Sequence, residues 1–217
     1  MIKAAIFDMD GLLIDSEPHW DTAKRKNFDS IGVKLSKAQE DDHRGRRISE
    51  NIEHIFLDQP WVGPSQKEVS NSIVQDVIDL IKLKGRLKDG VIEAINLCNK
   101  LNIKLAVASS SPDKLIDVVL DTFDLRKHFN IVYSADNEEY GKPHPGVFIS
   151  TAKLLSVPVQ QCLVFEDAPS GVLAAKAAKM VCIAVPEANL KNDKYVQTAD
   201  VILDSLSNLT EDLINSF

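Results

Sequence analysis

A series of short apolar runs, each closed by a polar or glycine-bearing turn, constrains this chain more than any other feature. The first is KAAIF at residues 3–7, which ends at Asp8-Met9-Asp10-Gly11. After a long interval the series resumes with IKLAVAS (103–109), NIVYSA (130–135), CLVFED (162–167), VCIAV (181–185) and ADVIL (199–203). Between these runs lie segments with helical periodicity at 89–101, 111–123, 144–155 and 169–180, and a terminal helix follows the last run. Apolar runs without strict alternation suit strands buried on both faces, and their regular exchange with helices suits right-handed βαβ crossovers. The expected fold class is therefore α/β, a doubly wound parallel sheet covered by helices on both sides.

The long interval after the first strand has a different character. EPHWDTAKRKNFDSIG (17–32), RRISENIEHIFLD (46–58) and PSQKEVSNSIVQDVIDLIKLKG (64–85) read as helices, SKAQEDDHRG (36–45) reads as a polar connection, and no strand pattern interrupts them. The predicted organisation is a discontinuous core of residues 1–15 and 85–217, with a small helical cap of the four-helix type at residues 16–84 inserted after the first strand. A length of 217 residues accommodates one full core and such a companion.

Composition narrows the function. With 25 Lys and Arg against 32 Asp and Glu, the formal charge of −7 argues against a protein that wraps nucleic-acid phosphates. No apolar run approaches the roughly 20 residues of a membrane span, and MIKAAIFDMDG reaches acidic residues too early for a signal peptide. Cys98, Cys162 and Cys182 form no metal or redox spacing, so a reducing, cytoplasmic setting is expected, with no sequence feature that demands more than a monomer.

In open parallel sheets ligands collect beyond the carboxyl ends of the strands. Asp8 and Asp10, Ser109-Ser110-Ser111, Gly141-Lys142-Pro143 and Glu166-Asp167 all follow predicted strands. Such a gathering of carboxylates, a lysine and hydroxyls suits a Mg²⁺ site beside an anion site: hard oxygen ligands favour Mg²⁺, whereas zinc would call for clustered Cys or His. Ser109, together with helix-start amides, suits a phosphate oxygen, and Lys142 supplies a positive charge. The serine run also has the composition of a helix N-cap. Asp8, fixed at a strand end, suits nucleophilic attack on phosphorus, and Asp10, two residues on, suits general acid/base work.

Taken together, Asp8 to Glu17 (DMDGLLIDSE), Ala108 to Pro112 (ASSSP), Gly141 to Pro145 (GKPHP) and Phe165 to Gly171 (FEDAPSG) resemble, in order, the four signature segments of the haloacid dehalogenase-like phosphatases. The branch most similar contains beta-phosphoglucomutase and sugar-phosphate phosphatases. The resemblance implies a Rossmann-like core. It also implies Asp8 as nucleophile and metal ligand, and Asp10 as acid/base and ligand through its backbone carbonyl. Ser109, Ser110 and Lys142 would bind phosphate, and Glu166 and Asp167 would serve the Mg²⁺ site. The implied reaction is hydrolysis of a small phosphorylated metabolite, a sugar or polyol phosphate such as 2-deoxyglucose 6-phosphate. The alternatives are a phosphosugar mutase and a phospholigand-binding protein without catalysis.

Two departures from the family pattern stand out. Trp20 occupies the position where the mutases have a histidine, and His19 lies one residue out of phase, about 100° around a helix. Lys179 replaces a glycine common at the end of its helix. In the insert, His43-Arg44-Gly45-Arg46-Arg47 resembles the substrate-specificity loop, so Arg46 or Arg47 is expected to meet substrate, and Trp20 either stacks on a sugar ring or packs the helices. Asp15 is expected either to support the site residues from behind or to support a hinge.

Overall fold

The computed structural model of the chain describes residues 1–36, 39 and 43–217. The polar connection expected at 36–45 lies partly outside the described residues, at 37, 38 and 40–42. Six strands, β1 (Ala4–Phe7), β2 (Lys104–Ser109), β3 (Ile131–Ser134), β4 (Cys162–Glu166), β5 (Val181–Ala184) and β6 (Val201–Ile202), form one sheet in the order β3-β2-β1-β4-β5-β6. All pairings are parallel, with Phe7 opposite Val107 on one side and Phe165 on the other. This is the doubly wound parallel sheet expected from the sequence.

Alternation along the strands feeds two cores. Ala5, Phe7, Leu105, Val107, Leu163 and Phe165 face one layer, which holds helices α4 (Val91–Lys100) and α5 (Asp113–Thr122). Ala4, Ile6, Ala106, Ala108 and Val164 face the other, against α6 (Gly146–Leu155) and α7 (Pro169–Ala177). With both faces covered, the strands can be apolar at nearly every position. A short α8 (Glu211–Asn215) closes the chain. Cys98, Cys162 and Cys182 are free and buried, and burial pushes the Cys98 thiol up to about 12.

Among the described residues, three helices lie between β1 and α4: α1 (Glu17–Ser30), α2 (Ile48–Asp58) and α3 (Gln66–Lys84). Helix α3 begins two residues later than its apolar pattern suggests, because Ser65 and Glu68 form a capping box that sets the first turn. Ile73, Val77 and Ile81 on its apolar face are fully buried, in an apolar cluster continuous with that of the sheet. No helix of the described residues is long and apolar enough to cross a membrane.

The chain enters and leaves this helical insert along one paired path. The Asp15 N–H donates to the Arg86 carbonyl at 2.9 Å, and the Lys88 N–H donates to the Leu13 carbonyl at 3.1 Å, with Ile14 and Leu87 bridged antiparallel between them. Asp15 thus takes part in the connection through its backbone.

Candidate active site

The sheet reverses its winding between β1 and β4: β1, β2 and β3 run outward to one edge, then the chain crosses to β4 and continues to the other. Crevices open beyond the carboxyl ends of strands at such a reversal. Asp8 stands at the end of β1, and Glu166 and Asp167 stand at the end of β4. Their carboxylates, all buried, each place an oxygen within 4.8 Å of the others.

Lys142 reaches this point from the loop after β3. Only 2% exposed, it donates from Nζ to Asp8 Oδ1 at 2.6 Å, to Glu166 Oε1 at 2.7 Å and to the Ala108 carbonyl at 3.3 Å. Its ammonium also stands 4.8 Å from the centre of the Phe148 ring. Burial alone would lower its pKa, but the Asp8 and Glu166 carboxylates override that and hold it above the usual lysine range.

Three carboxylates and one ammonium leave two negative charges without a counterpart when all are ionised. The imbalance shows in the titration of the acids. Burial, reinforced by Glu166 and Asp10 and only partly offset by Lys142, raises the Asp8 carboxyl to about 8. Burial also raises Asp167 well above the carboxylate range, with Glu166 and Asp8 adding to it. A divalent cation supplies the missing charge, and an all-oxygen donor set suits Mg²⁺. The residues therefore fit the ion. Within the trio, Glu166 Oε2 already accepts from the Asp167 and Ala168 N–H groups at 2.9 and 3.1 Å, so Glu166 acts more as a brace. Gly11, at φ +77°, and Gly171 stand so close that a Cβ on either would overlap the Asp167 or the Glu166 carboxylate.

Asp10 is not in that trio. Its Oδ1 accepts from Ser16 Oγ at 2.7 Å and from Trp20 Nε1 at 2.8 Å, and its Oδ2 accepts from Ser111 Oγ at 2.7 Å. A side chain held this way is turned from the acidic trio. It also gives Trp20 a contact that neither stacking nor packing foresaw. The indole donates to Asp10, and the Lys24 ammonium stands 5.8 Å from its ring centre.

The serine run behaves differently from a helix cap. Helix α5 starts after Pro112, which has no side-chain acceptor, while Ser109 Oγ accepts from the Ser111 N–H at 3.0 Å. Ser110, expected at phosphate, donates its hydroxyl to the Gly45 carbonyl of the insert at 2.7 Å.

Asp8, Asp10 and the three serines share a cavity of about 40 Å³ with Glu17, Trp20, Lys24, His43, Arg44, Gly45, Arg46, Ile48 and Asn51. Arg46 thus lines the cavity where a substrate contact was expected. Arg47 does not: it pairs with Glu50 and donates to the Ala135, Glu138 and Glu139 carbonyls at 3.3, 2.9 and 3.1 Å, against the core loop that leads to Lys142. Glu50 in turn accepts from the Gly141 N–H at 2.9 Å. Gly45 holds φ +70°, and a Cβ there would overlap Ser170 and Ala168, so the turn against the core depends on glycine.

Sequence reading missed Glu17, Lys24 and Asn51. Their signals are visible in hindsight: Glu17, Trp20 and Lys24 follow one helical face at i, i+3 and i+7, and Asn51 interrupts the apolar face formed by Ile48, Ile52 and Ile55.

Residues 2–179 match the haloacid dehalogenase-like hydrolase family. The chain belongs to that family. This haloacid dehalogenase-like hydrolase is 42% identical over 210 residues to hexitol phosphatase B of Escherichia coli (strain K12), covering 96% of this chain and 95% of that protein. It is 32% identical over 180 residues to a phosphorylated carbohydrates phosphatase of Thermotoga maritima, covering 82% of each. In fold it resembles the beta-phosphoglucomutase of Clostridium difficile, with a TM-score of 0.87 at 24% identity over 100% of this chain and 96% of that one. The hydrolase is thus an enzyme of a family whose similar members are named phosphatases, as its four strand-end segments led one to expect.

Proposed function

We propose that this hydrolase is a Mg²⁺-dependent phosphomonoesterase for small sugar or polyol phosphates, with hexitol phosphates foremost. The observation that carries the proposal is the buried trio of Asp8, Glu166 and Asp167, joined by Lys142 and opening onto a polar cavity. A bound Mg²⁺, held by Asp8, Asp167 and the Asp10 backbone with Glu166 in support, would neutralise phosphate charge.

In this reading Asp8 attacks phosphorus, its carboxylate oxygen forming a bond as the ester oxygen departs. Lys142 and Ser109 bind the phosphoryl oxygens that carry the developing charge. Asp10 protonates the leaving oxygen, then takes a proton from the water that hydrolyses the aspartyl phosphate. The Ser16, Trp20 and Ser111 donors fix the direction of the Asp10 carboxylate, and Asp10 must leave at least one of them to reach the leaving oxygen.

Residues 16–84 act as a cap in this scheme. The cavity lies between Glu17, Trp20, Lys24, Arg46 and Asn51 of the insert and Asp8, Asp10 and Ser109 of the core. In this scheme a hexitol phosphate enters between the two as the insert swings away from the core. The paired path at Asp15 and Arg86 is the proposed hinge.

The test is phosphate release from a panel of hexitol, hexose, glycerol and two-carbon phosphates in Mg²⁺, ranked by kcat/KM. Asp8→Asn should abolish release from all of them. Turnover by that variant at the normal rate would refute the mechanism, and phosphate migration without release would identify a mutase instead.

A further inference from the structure

Two buried oxygens in the cavity have no hydrogen-bond donor, one of them in an ion pair with Arg44. Asn51, in α2, is 3% exposed, and its Nδ2 donates to the His43 carbonyl at 2.9 Å. A carbonyl accepts only from the nitrogen side of an amide, so the orientation of Asn51 is fixed and Oδ1 is its remaining group. That oxygen is buried and has no hydrogen bond. Glu17, the first residue of α1, is 7% exposed. Its Oε2 likewise has no hydrogen bond and lies 3.5 Å from Arg44 Nε. A buried acceptor without a donor costs about 1–3 kcal/mol; the Arg44 charge offsets this at Glu17, but no hydrogen bond relieves it at Asn51 Oδ1, so the cavity calls for a ligand that donates.

The chemistry of such a ligand is narrow. A carboxylate or a second phosphate offers only acceptors at neutral pH and would leave Asn51 Oδ1 without a donor. An apolar group would leave both oxygens unsatisfied. An alcohol donates through its hydrogen and accepts through its oxygen, and Lys24, a buried cation lining the same cavity on the Glu17 face of α1, matches the accepting half. Glu17 and Lys24 are two helical turns apart along one face, so neighbouring hydroxyls of an extended chain can each find a partner.

We infer that Glu17, Lys24 and Asn51 form a hydroxyl-reading subsite that favours phosphate esters of neutral polyhydroxylated chains over esters whose second group only accepts hydrogen bonds. The inference rests on the phosphatase reading for the position of the phosphate, and deepens it by assigning what holds the leaving group.

Binding separates the two. In an Asp8→Asn background with Mg²⁺, calorimetric titration with a hexitol 6-phosphate, phosphoglycolate and inorganic phosphate measures the subsite without turnover. The hexitol ester should bind at least about tenfold more tightly than phosphoglycolate, and Asn51→Leu should remove about tenfold of its affinity while leaving that of inorganic phosphate unchanged. Glu17→Gln should narrow the gap between the hexitol ester and phosphoglycolate. Because Asn51→Leu also deletes the bond to His43, deoxyhexitol 6-phosphates provide a second measurement on the Asn51-containing protein: loss of one hydroxyl should weaken binding about tenfold at one or two positions of the chain. Equal weakening of phosphate and hexitol ester by Asn51→Leu, or indifference to every deoxygenation, would overturn the subsite. Failure of the phosphatase reading would look different: a hexitol ester bound tightly and left intact by the protein with Asp8 in place.

Discussion

Asp8 is asked to be both buried and charged. Its carboxyl, raised from an ordinary 3.8 to about 8, holds its proton in the folded chain over a range where the unfolded chain releases it. Folding then binds a proton, so the Asp8 contribution to stability is undiminished below about pH 4 and falls as pH rises toward 8. Mg²⁺ binds the ionised form, and it should reverse this loss. Melting temperature measured without turnover should therefore drop between pH 5 and pH 8 in chelator, and the rise produced by Mg²⁺ should be larger at pH 8 than at pH 5. A Mg²⁺ effect independent of pH would count against Asp8 as a ligand. The residues of this trio were legible in the sequence because each directly follows an apolar run, and the end of a strand fixes where its next side chains go. Glu17, Lys24 and Asn51 were not, because their meaning depends on which helical face meets the core, and that is decided by packing between segments far apart in the chain. Arg47 shows the same limit. Two neighbouring arginines read alike as a string, yet one lines the cavity and the other grips the loop before Lys142.

The helices share a way of ending that the strings conceal. Asn102, Asp124, Ser156 and Lys179, just beyond α4, α5, α6 and α7, all hold left-handed backbone with φ between 54° and 59°. The chain reverses there toward the next strand, a turn for which glycine is the usual residue. Asn and Asp tolerate the conformation; lysine has no such compensation. The departure at Lys179 noted in the sequence is therefore a strained turn, on an exposed residue outside the active site. Lys179→Gly should stabilise the protein by about 0.5–1 kcal/mol, raising its melting temperature by about 1–4 °C with kcat/KM unchanged. A lower melting temperature would mean that the lysine side chain makes contributions beyond its backbone. The strands and helices themselves were legible from periodicity, with errors confined to their ends. Those ends answer to local partners instead: the Ser65–Glu68 box delays α3, and Pro112 delays α5.

Across the whole molecule, insert and core share an apolar cluster and are further joined by polar contacts set around the cavity. Arg47 and Glu50 hold the loop that delivers Lys142, Arg44 pairs with Glu187 at 2.7 Å, and the Ser110 and Ser170 hydroxyls donate to the Gly45 and Arg44 carbonyls. Polar rims of this kind bring direction with modest net strength, since each bond replaces one to water. Arg47→Met should loosen one rim. Amide exchange at residues 135–141 should quicken while that of the β1 and β4 strands stays slow, and kcat/KM should fall several-fold. Unchanged exchange in that loop would remove Arg47 from any part in closure. The order of the motifs along the chain predicts an insert after the first strand, where three helices lie among the described residues, but it does not show how they are hung. Two strands of backbone cross between insert and core, and they cross bonded to one another through Leu13, Asp15, Arg86 and Lys88. A single tether would let the insert tumble and return in many orientations, whereas a paired ribbon bends readily in one direction and resists twisting. If the insert closes as the proposed function requires, motion on such a ribbon would follow one arc, and each closing would present the same face of α1 to Asp10 without a search.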